Sequence, residues 1–467
     1  MLARRISFNF GSAVVLRLVT NAIGLLVVGI MTRRLGPADY GEYSTVFAFL
    51  FLFSVLADMG LGVLLTRDIS QSETDAEKTV ANYFGFRIFL TVLASVLAVV
   101  IVWLIPQYSA AIKFGVAIGC GYMIFSSFVQ LLMGIFQKAL KVYLVSFADI
   151  ISRTLQLLII LFLLWTGRTE VLDFIYATVI AEIAHFIMVL FFARSLVRLR
   201  VSFDFGEFKK ILKNALPVAV SLLFVILYFK MDTVMLSLMR PSADVGMYSV
   251  AYKVLEIVIF VPAILAGLLM PILSKEAVNI SERFRRIMAL SFDIMLALAL
   301  PAAVVMIILA GPIIAVVGGA GFGQSVLILR VLAVAVILIF FGNLGGNALV
   351  ALNLQNKSVW IYALGAVLNF VANLIFIPRY GALAAALNTV LTELVVTVGM
   401  FWLIHRAVGS TFSFQRTTRI GLATLVMGVV VFTLRQHTVF AFAAALSYLP
   451  ILYAVRGFSV EEIKKLV

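Results

Sequence analysis

Apolar residues run along this chain in long stretches that show no strand-like alternation and are separated by short polar segments. Fourteen of them reach roughly the 20 residues that carry a helix across a hydrocarbon layer. They lie near 12–32, 44–66, 83–105, 111–136, 144–165, 171–193, 214–238, 248–272, 287–309, 324–350, 358–378, 381–404, 418–434 and 438–455. Barrel strands would alternate apolar and polar side chains, so these runs predict helices. The fold expected is an all-α integral membrane protein of about 14 transmembrane helices. The first run ends directly on Arg33-Arg34 and not on a small-residue cleavage site, so no removable leader is expected.

One short pattern occurs twice. Residues 37–44 read PADYGEYS and residues 242–249 read SADVGMYS, an offset of 205. Ala38/Ala243, Asp39/Asp244, Gly41/Gly246, Tyr43/Tyr248 and Ser44/Ser249 are identical, and each copy lies between two long apolar runs. Arg4-Arg5 fall opposite Lys209-Lys210, each pair just ahead of such a run. Transporters are commonly built from parallel repeats with the substrate path between them. The expected organisation is a six-helix lobe over 1–199, a linker over 200–213, a second six-helix lobe over 214–406, and two further helices with a tail over 407–467. The lobes would be related by a pseudo-two-fold axis along the membrane normal.

Composition agrees. The 467 residues are 63% hydrophobic and 12% charged, against about 45–50% and about 25% in soluble proteins. The net charge of +14 lies in short loops, where it sets membrane topology and does not signal nucleic acid. With both termini in the cytoplasm, and with Lys113 and Arg419 at span ends counted to the adjoining loops, 23 basic residues fall in inner segments and 7 in outer ones, Arg33-Arg34 being the exception to that bias. The segment Arg194–Lys213 holds six of the inner ones. Within it, Ser202–Lys213 reads either as an interfacial helix with Phe203, Phe205 and Phe208 in lipid, or as a solvated linker. A lone Cys120 and three scattered histidines (His185, His405, His437) offer no disulfide and no metal spacing.

Ionisable groups inside hydrocarbon usually face a cavity or a partner. The basic ones are Arg17, Arg87, Arg153, Lys230, Lys253 and Arg330; acidic ones include Asp58, Glu182, Asp232, Glu256, Asp293 and Glu393. Guanidinium groups suit phosphate, because the planar fork donates two parallel bonds. A cationic cavity therefore points to a phosphate-bearing amphiphile. Arg87 and Arg330 lie near span ends, where snorkelling to the interface competes with function. Lys253 with Glu256, and Glu182 with His185, are three apart and can pair on one helix face. Lys230 and Asp232 are two apart, about 200° around a helix, so they do not pair directly. Pro217, Pro262, Pro271 and Pro301, and the Gly342, Gly345, Gly346 cluster beside Asn343 and Asn347, are candidate points of bending. No phosphate-binding loop, metal motif or nucleophile elbow is present, so a carrier needing no cofactor is expected, not an enzyme.

Three passages, in order, carry a family resemblance: LGPADYGEYS (Leu35–Ser44) followed by ADMGLGVLLTRDIS (Ala57–Ser70); YFKMDTVMLSLM with SADVGMYSVAYKVLE (Tyr228–Glu256); and AGPIIAVVGGAGFGQSVLILRVLA (Ala310–Ala333). With the fourteen runs, they resemble the polysaccharide transporter branch of the multidrug/oligosaccharidyl-lipid/polysaccharide exporter superfamily, which includes O-antigen flippases. The resemblance implies two lobes around a V-shaped cavity that opens alternately to each side of the cytoplasmic membrane. It implies a polyprenyl-pyrophosphate-linked oligosaccharide as cargo, Na+ or H+ as coupling ion, and a polymerase and glycosyltransferases as partners. Carried onto this chain, it makes Arg17, Arg153, Lys230 and Lys253 candidate pyrophosphate contacts, and Asp58, Asp232 and Glu256 candidates for gating or cation coupling. The arginine-rich opening of the lipid II flippases is not matched, which argues against that cargo. A cation-coupled multidrug antiporter is the alternative, but it calls for an acidic, aromatic cavity. A scaffold without transport is a third reading, in which neutralising Arg17 or Lys230 leaves activity intact.

Overall fold

A computed structural model describes residues 2–71, 76–198, 200–277, 282–409 and 414–455, and every regular element among them is helical. The Pro217 side chain and the tail beyond Val455 lie outside the described residues. The chain divides into two compact units, Met1–Gly246 and Met247–Val467. The first holds α1 (Leu2–Asp58), α2 (Leu61–Gln71), α3 (Ala76–Trp103), α4 (Ala110–Lys138), α5 (Val142–Trp165), α6 (Val171–Ala193) and α7 (Phe205–Met239), together with the first turn of α8 (Ser242–Val258). The second holds the rest of α8, then α9 (Phe260–Ala277), α10 (Glu282–Ile308), α11 (Ala310–Val317), α12 (Ser325–Ala351), α13 (Gln355–Val408), α14 (Phe414–Thr433), α15 (Thr438–Ala445) and α16 (Tyr448–Ala454).

Ten helices among the described residues are long and apolar enough to cross a membrane. Two of them, Val15–Ile69 at 55 residues and Gln355–Val408 at 54, have the length for two crossings each. Both turn at a glycine with positive φ: Gly36 (φ 69°) in α1 and Gly381 (φ 56°) in α13. The four tryptophans, Trp103, Trp165, Trp360 and Trp402, are all exposed. Each lies towards an end of its helix, the placement of a membrane-interface belt.

Prolines explain where several runs break. A proline has no N–H and its ring crowds the carbonyl four residues earlier. Pro262 stands four after Val258, the last residue of α8; Pro312 four after Ile308, the last of α10; Pro450 four after Leu446, just past α15. The last expected span, 438–455, is accordingly two short helices and not one. Span ten differs in the opposite sense. Despite Gly342, Gly345 and Gly346, α12 is one unbroken helix. Gly345 lies against Met400 and Gly346 against the Tyr362 hydroxyl, so these glycines admit α13 closely and do not bend their own helix.

Of the segment Ser202–Lys213, residues 205–213 form the first turns of α7, and the residues before them are held against α3. Ser202 N–H donates to the Ala81 carbonyl (3.1 Å), and a Cβ at Gly85 would fall on the Ser202 carbonyl oxygen. Asp204 caps α7 by accepting from the Gly206 and Glu207 N–H groups. Phe208 is buried against Phe86, while Phe203 and Phe205 stay exposed.

The sequence repeat is matched by repeated contacts. Glu42 accepts from Ser109, at the start of α4, at 2.8 Å; Ser325, at the start of α12, donates to the carbonyl of Met247, the position corresponding to Glu42, at 2.7 Å. Tyr43 rings with Phe47 as Tyr248 does with Tyr252. α4 and α12 end alike: Leu140 (φ 53°) and Asn353 (φ 57°) are left-handed, and the next residue returns a bond across the last turn, Lys141 to Phe136 and Leu354 to Leu349. Within the first unit the two motif copies also touch. A Cβ at Gly41 would fall on the Ser242 carbonyl, and one at Gly246 on the Pro37 carbonyl.

Candidate functional site

In the first unit, helices α1, α4, α5 and α6 bring polar groups together inside the spans. Arg17 on α1 donates to Asp149 on α5 at 3.0 Å, and Arg153, one turn along α5, places Nε 3.7 Å from the other carboxylate oxygen. Arg153 also donates to Gln156 (3.0 Å), and Gln156 Nε2 donates to Thr178 on α6 (2.9 Å). The Thr178 hydroxyl gives its one proton to the Phe174 carbonyl. It therefore accepts from both Gln156 and the Tyr43 hydroxyl, which lies 3.0 Å away. Ser152 donates to the Ala181 carbonyl and ties α5 to α6. One turn past Thr178, Glu182 is buried and lies 3.4 Å from His185 Nδ1. The Arg153 charge interacts with Glu182 and with the hydroxyls of Tyr122 and Tyr43.

Two of the four expected phosphate-binding cations, Arg17 and Arg153, thus meet around one carboxylate. Lys230 sits elsewhere in the unit, 5.7 Å from the centre of the Phe51 ring, with Asp232 buried two residues on. Lys253 lies in the second unit, where it pairs with Glu256 at 3.0 Å, as their spacing suggested. Asp58 is paired with Arg87 at 2.8 Å. Arg87 does not snorkel. It is fully buried and donates to the carbonyls of Ala57 and Ser127, both at 2.6 Å. It thereby closes the C-terminus of α1, where Met59 and Gly60 are left-handed and α2 begins anew. Arg330 remains exposed, near the Ile307 carbonyl.

Sequence reasoning missed Asp149 and the Gln156–Thr178–Tyr43 chain. Asp149 stands four residues before Arg153, a helical pairing distance legible in hindsight. A second repeat would have found Thr178: residues 178–182 read TVIAE and 389–393 read TVLTE. Thr389 gives its proton to the Ala385 carbonyl and accepts from Tyr248 at 3.4 Å, just as Thr178 accepts from Tyr43. The second unit adds a ladder of buried amides, Asn388 to Asn373 (2.8 Å) and Asn373 to Asn369 (2.9 Å), joining the two arms of α13 across Gly381.

A family model described as polysaccharide biosynthesis protein matches residues 7–277. A probable flippase of Haloferax volcanii is 24% identical over 216 residues, which is 45% of this chain and 45% of that protein's length. A probable low-salt glycan biosynthesis flippase of the same organism is 23% identical over 417 residues, covering 88% of this chain and 86% of that one. Among solved structures, the lipid II flippase MurJ in an inward closed conformation aligns with a TM-score of 0.79 at 15% identity, covering 95% of this chain and 98% of that one. An inward-facing multidrug resistance MATE family transporter aligns at 0.67 and 15% identity over 85% and 98%. A MOP superfamily transporter from Pyrococcus furiosus, described by a binding pocket of reverse polarity, aligns at 0.61 and 17% identity over 86% and 94%. The likeness to these structures is one of fold, that of a multi-pass membrane transporter.

Proposed function

We propose, from the premise that the chain belongs to the polysaccharide biosynthesis protein family, that it is a flippase. Its cargo is a polyprenyl-pyrophosphate-linked oligosaccharide, moved across the cytoplasmic membrane by alternating access for surface glycan synthesis. The observation that supports this most is the convergence of Arg17 and Arg153 on Asp149 within the spans. The planar guanidinium fork suits phosphate as it suits a carboxylate, and a pyrophosphate can take the place of Asp149 between the two.

In this reading the transporting lobes are 1–199 and 214–406, joined by 200–213 and followed by the extra helices of 407–467, with both termini in the cytoplasm. Lys230 and Lys253 complete the pyrophosphate contacts; Lys253 must first release Glu256. Asp58, Asp232 and Glu256 serve gating or binding of a coupling Na+ or H+, and Asp58 does so only when its pairing with Arg87 loosens. A polymerase and glycosyltransferases act before and after it.

The test is mass spectrometry of lipids from a deletion strain, with surface polymer quantified in parallel. Accumulated polyprenyl-pyrophosphate oligosaccharide with lost polymer is expected. Lys230→Ala and Arg153→Ala should insert normally yet fail to restore polymer. Unchanged lipids and polymer, with raised sensitivity to cationic dyes, would instead identify a multidrug antiporter.

A further inference from the structure

Glu182 and His185 are two buried titratable groups that phosphate binding does not use. His185 Nδ1 faces the Glu182 carboxylate at 3.4 Å. His185 Nε2 is buried and has no hydrogen-bond partner among the described residues. A neutral imidazole carries one proton, and beside a carboxylate that proton belongs on Nδ1. Nε2 is then a bare lone pair enclosed in protein, which a second proton would turn into a donor. An imidazolium next to a carboxylate in low dielectric is a favourable ion pair.

The surrounding charges link that proton to the anion site. From α5, Arg153 faces Glu182; from α4, Tyr122, which bonds Ser126, faces Glu182 too; Asp149 and, from α1, Tyr43 face Arg153, with Arg17 beyond on Asp149. Arg17, Arg153, Asp149 and Glu182 balance as two positive and two negative charges when His185 is neutral. A proton taken up on the pair leaves the cluster with one positive charge in excess and weakens the hold of Glu182 on Arg153.

The internal repeat sharpens the contrast. Glu393 occupies the place of Glu182 in the second TVxxE copy, with the same Tyr-to-Thr bond ahead of it. Three residues past Glu393 stands Val396, and three past Glu182 stands His185. The imidazole is thus present in one copy and absent from the other, and a shared packing role does not require it.

We infer that Glu182 and His185 form a proton-binding site coupled to anion binding at Arg153, so that cargo pyrophosphate and a proton are taken up together. This rests on the flippase reading and gives its anion site a linked proton. Linkage makes the effect reciprocal: the proton strengthens anion binding and the anion strengthens proton binding.

The full-length protein in detergent is titrated with inorganic pyrophosphate in weakly buffered solution near pH 7, with an indicator dye counting protons. Wild type should take up on the order of one proton more per bound anion than E182Q or H185Q, since one linked proton changes affinity by up to about tenfold per pH unit. E393Q should match wild type. Comparison among variants cancels the protons of pyrophosphate itself. Equal uptake in wild type, E182Q and H185Q would overturn the inference, as would equal loss in E393Q. Should either variant fold poorly, infrared difference spectra of wild type decide: a pyrophosphate-induced change in carboxyl or imidazole bands is expected, and none would overturn it. Absent pyrophosphate binding would overturn both the coupling and the anion site at Arg153, whereas the flippase reading stands or falls on the lipid analysis above.

Discussion

At Arg87 a full charge is enclosed at 0% exposure and held by Asp58 and two main-chain carbonyls from different helices. Removing such a group alone leaves its buried partners stranded. Arg87→Lys should cost about 3 kcal/mol or more, since one ammonium cannot reproduce the fork and leaves buried acceptors unmet. Thermal unfolding in detergent checks this. Leu140 is the opposite case. It is a β-carbon residue in a left-handed position that its counterpart fills with Asn353, and its side chain is 39% exposed. Leu140→Asn should raise stability by roughly 0.5–1 kcal/mol, read as an increase in unfolding temperature. Residues like Lys253 and Glu256 were legible because their partner is three positions away in the same helix. Arg87 was not, because two of its partners are backbone carbonyls, which carry no sequence signature.

At the level of the helices, apolar length placed nearly every element, because lipid leaves a spanning chain no alternative to satisfied helical bonds. The breaks were only half legible. Those four residues before Pro262, Pro312 and Pro450 follow from the ring itself. The glycines of α12 misled, because a glycine in a membrane helix serves either a bend or a close neighbour, and only α13 decides between them. A glycine that turns the chain and one that neither turns it nor meets a close neighbour predict different costs. Gly381→Ala forces a Cβ into φ 56°, ψ −136° and should cost about 1–3 kcal/mol. Gly342→Ala meets only Thr397 Oγ1 at 3.4 Å and Glu393 Oε2 at 3.8 Å and should be nearly neutral. Unfolding temperatures of the two variants side by side test the distinction.

Across the whole chain the repeat governs more than eight matching letters suggest. Each copy directs its tyrosine to a threonine and binds the position before it to the serine that opens a later helix. Tyr43→Phe and Tyr248→Phe should each cost about 1 kcal/mol, the worth of one hydrogen bond. The double variant should lose their sum within about 0.5 kcal/mol, as the two bonds share no partner; a thermal unfolding cycle measures it. The divergence between copies was not visible in PADYGEYS and SADVGMYS, because it lies past the threonine that each motif meets: the glutamate there has a histidine three residues on in one copy and a valine in the other.

The reciprocal approach of Gly41 to Ser242 and of Gly246 to Pro37 has a historical meaning. Position and partner exchange roles under the same offset of 205 residues. That is the self-matching surface of a two-fold homodimer. A half-length ancestor carrying one motif would already have recognised its own twin there, and joining two genes end to end would have inherited the interface ready made. It also accounts for a glycine at both places: a methyl group gained on either side would spoil a join that both sides had brought with them.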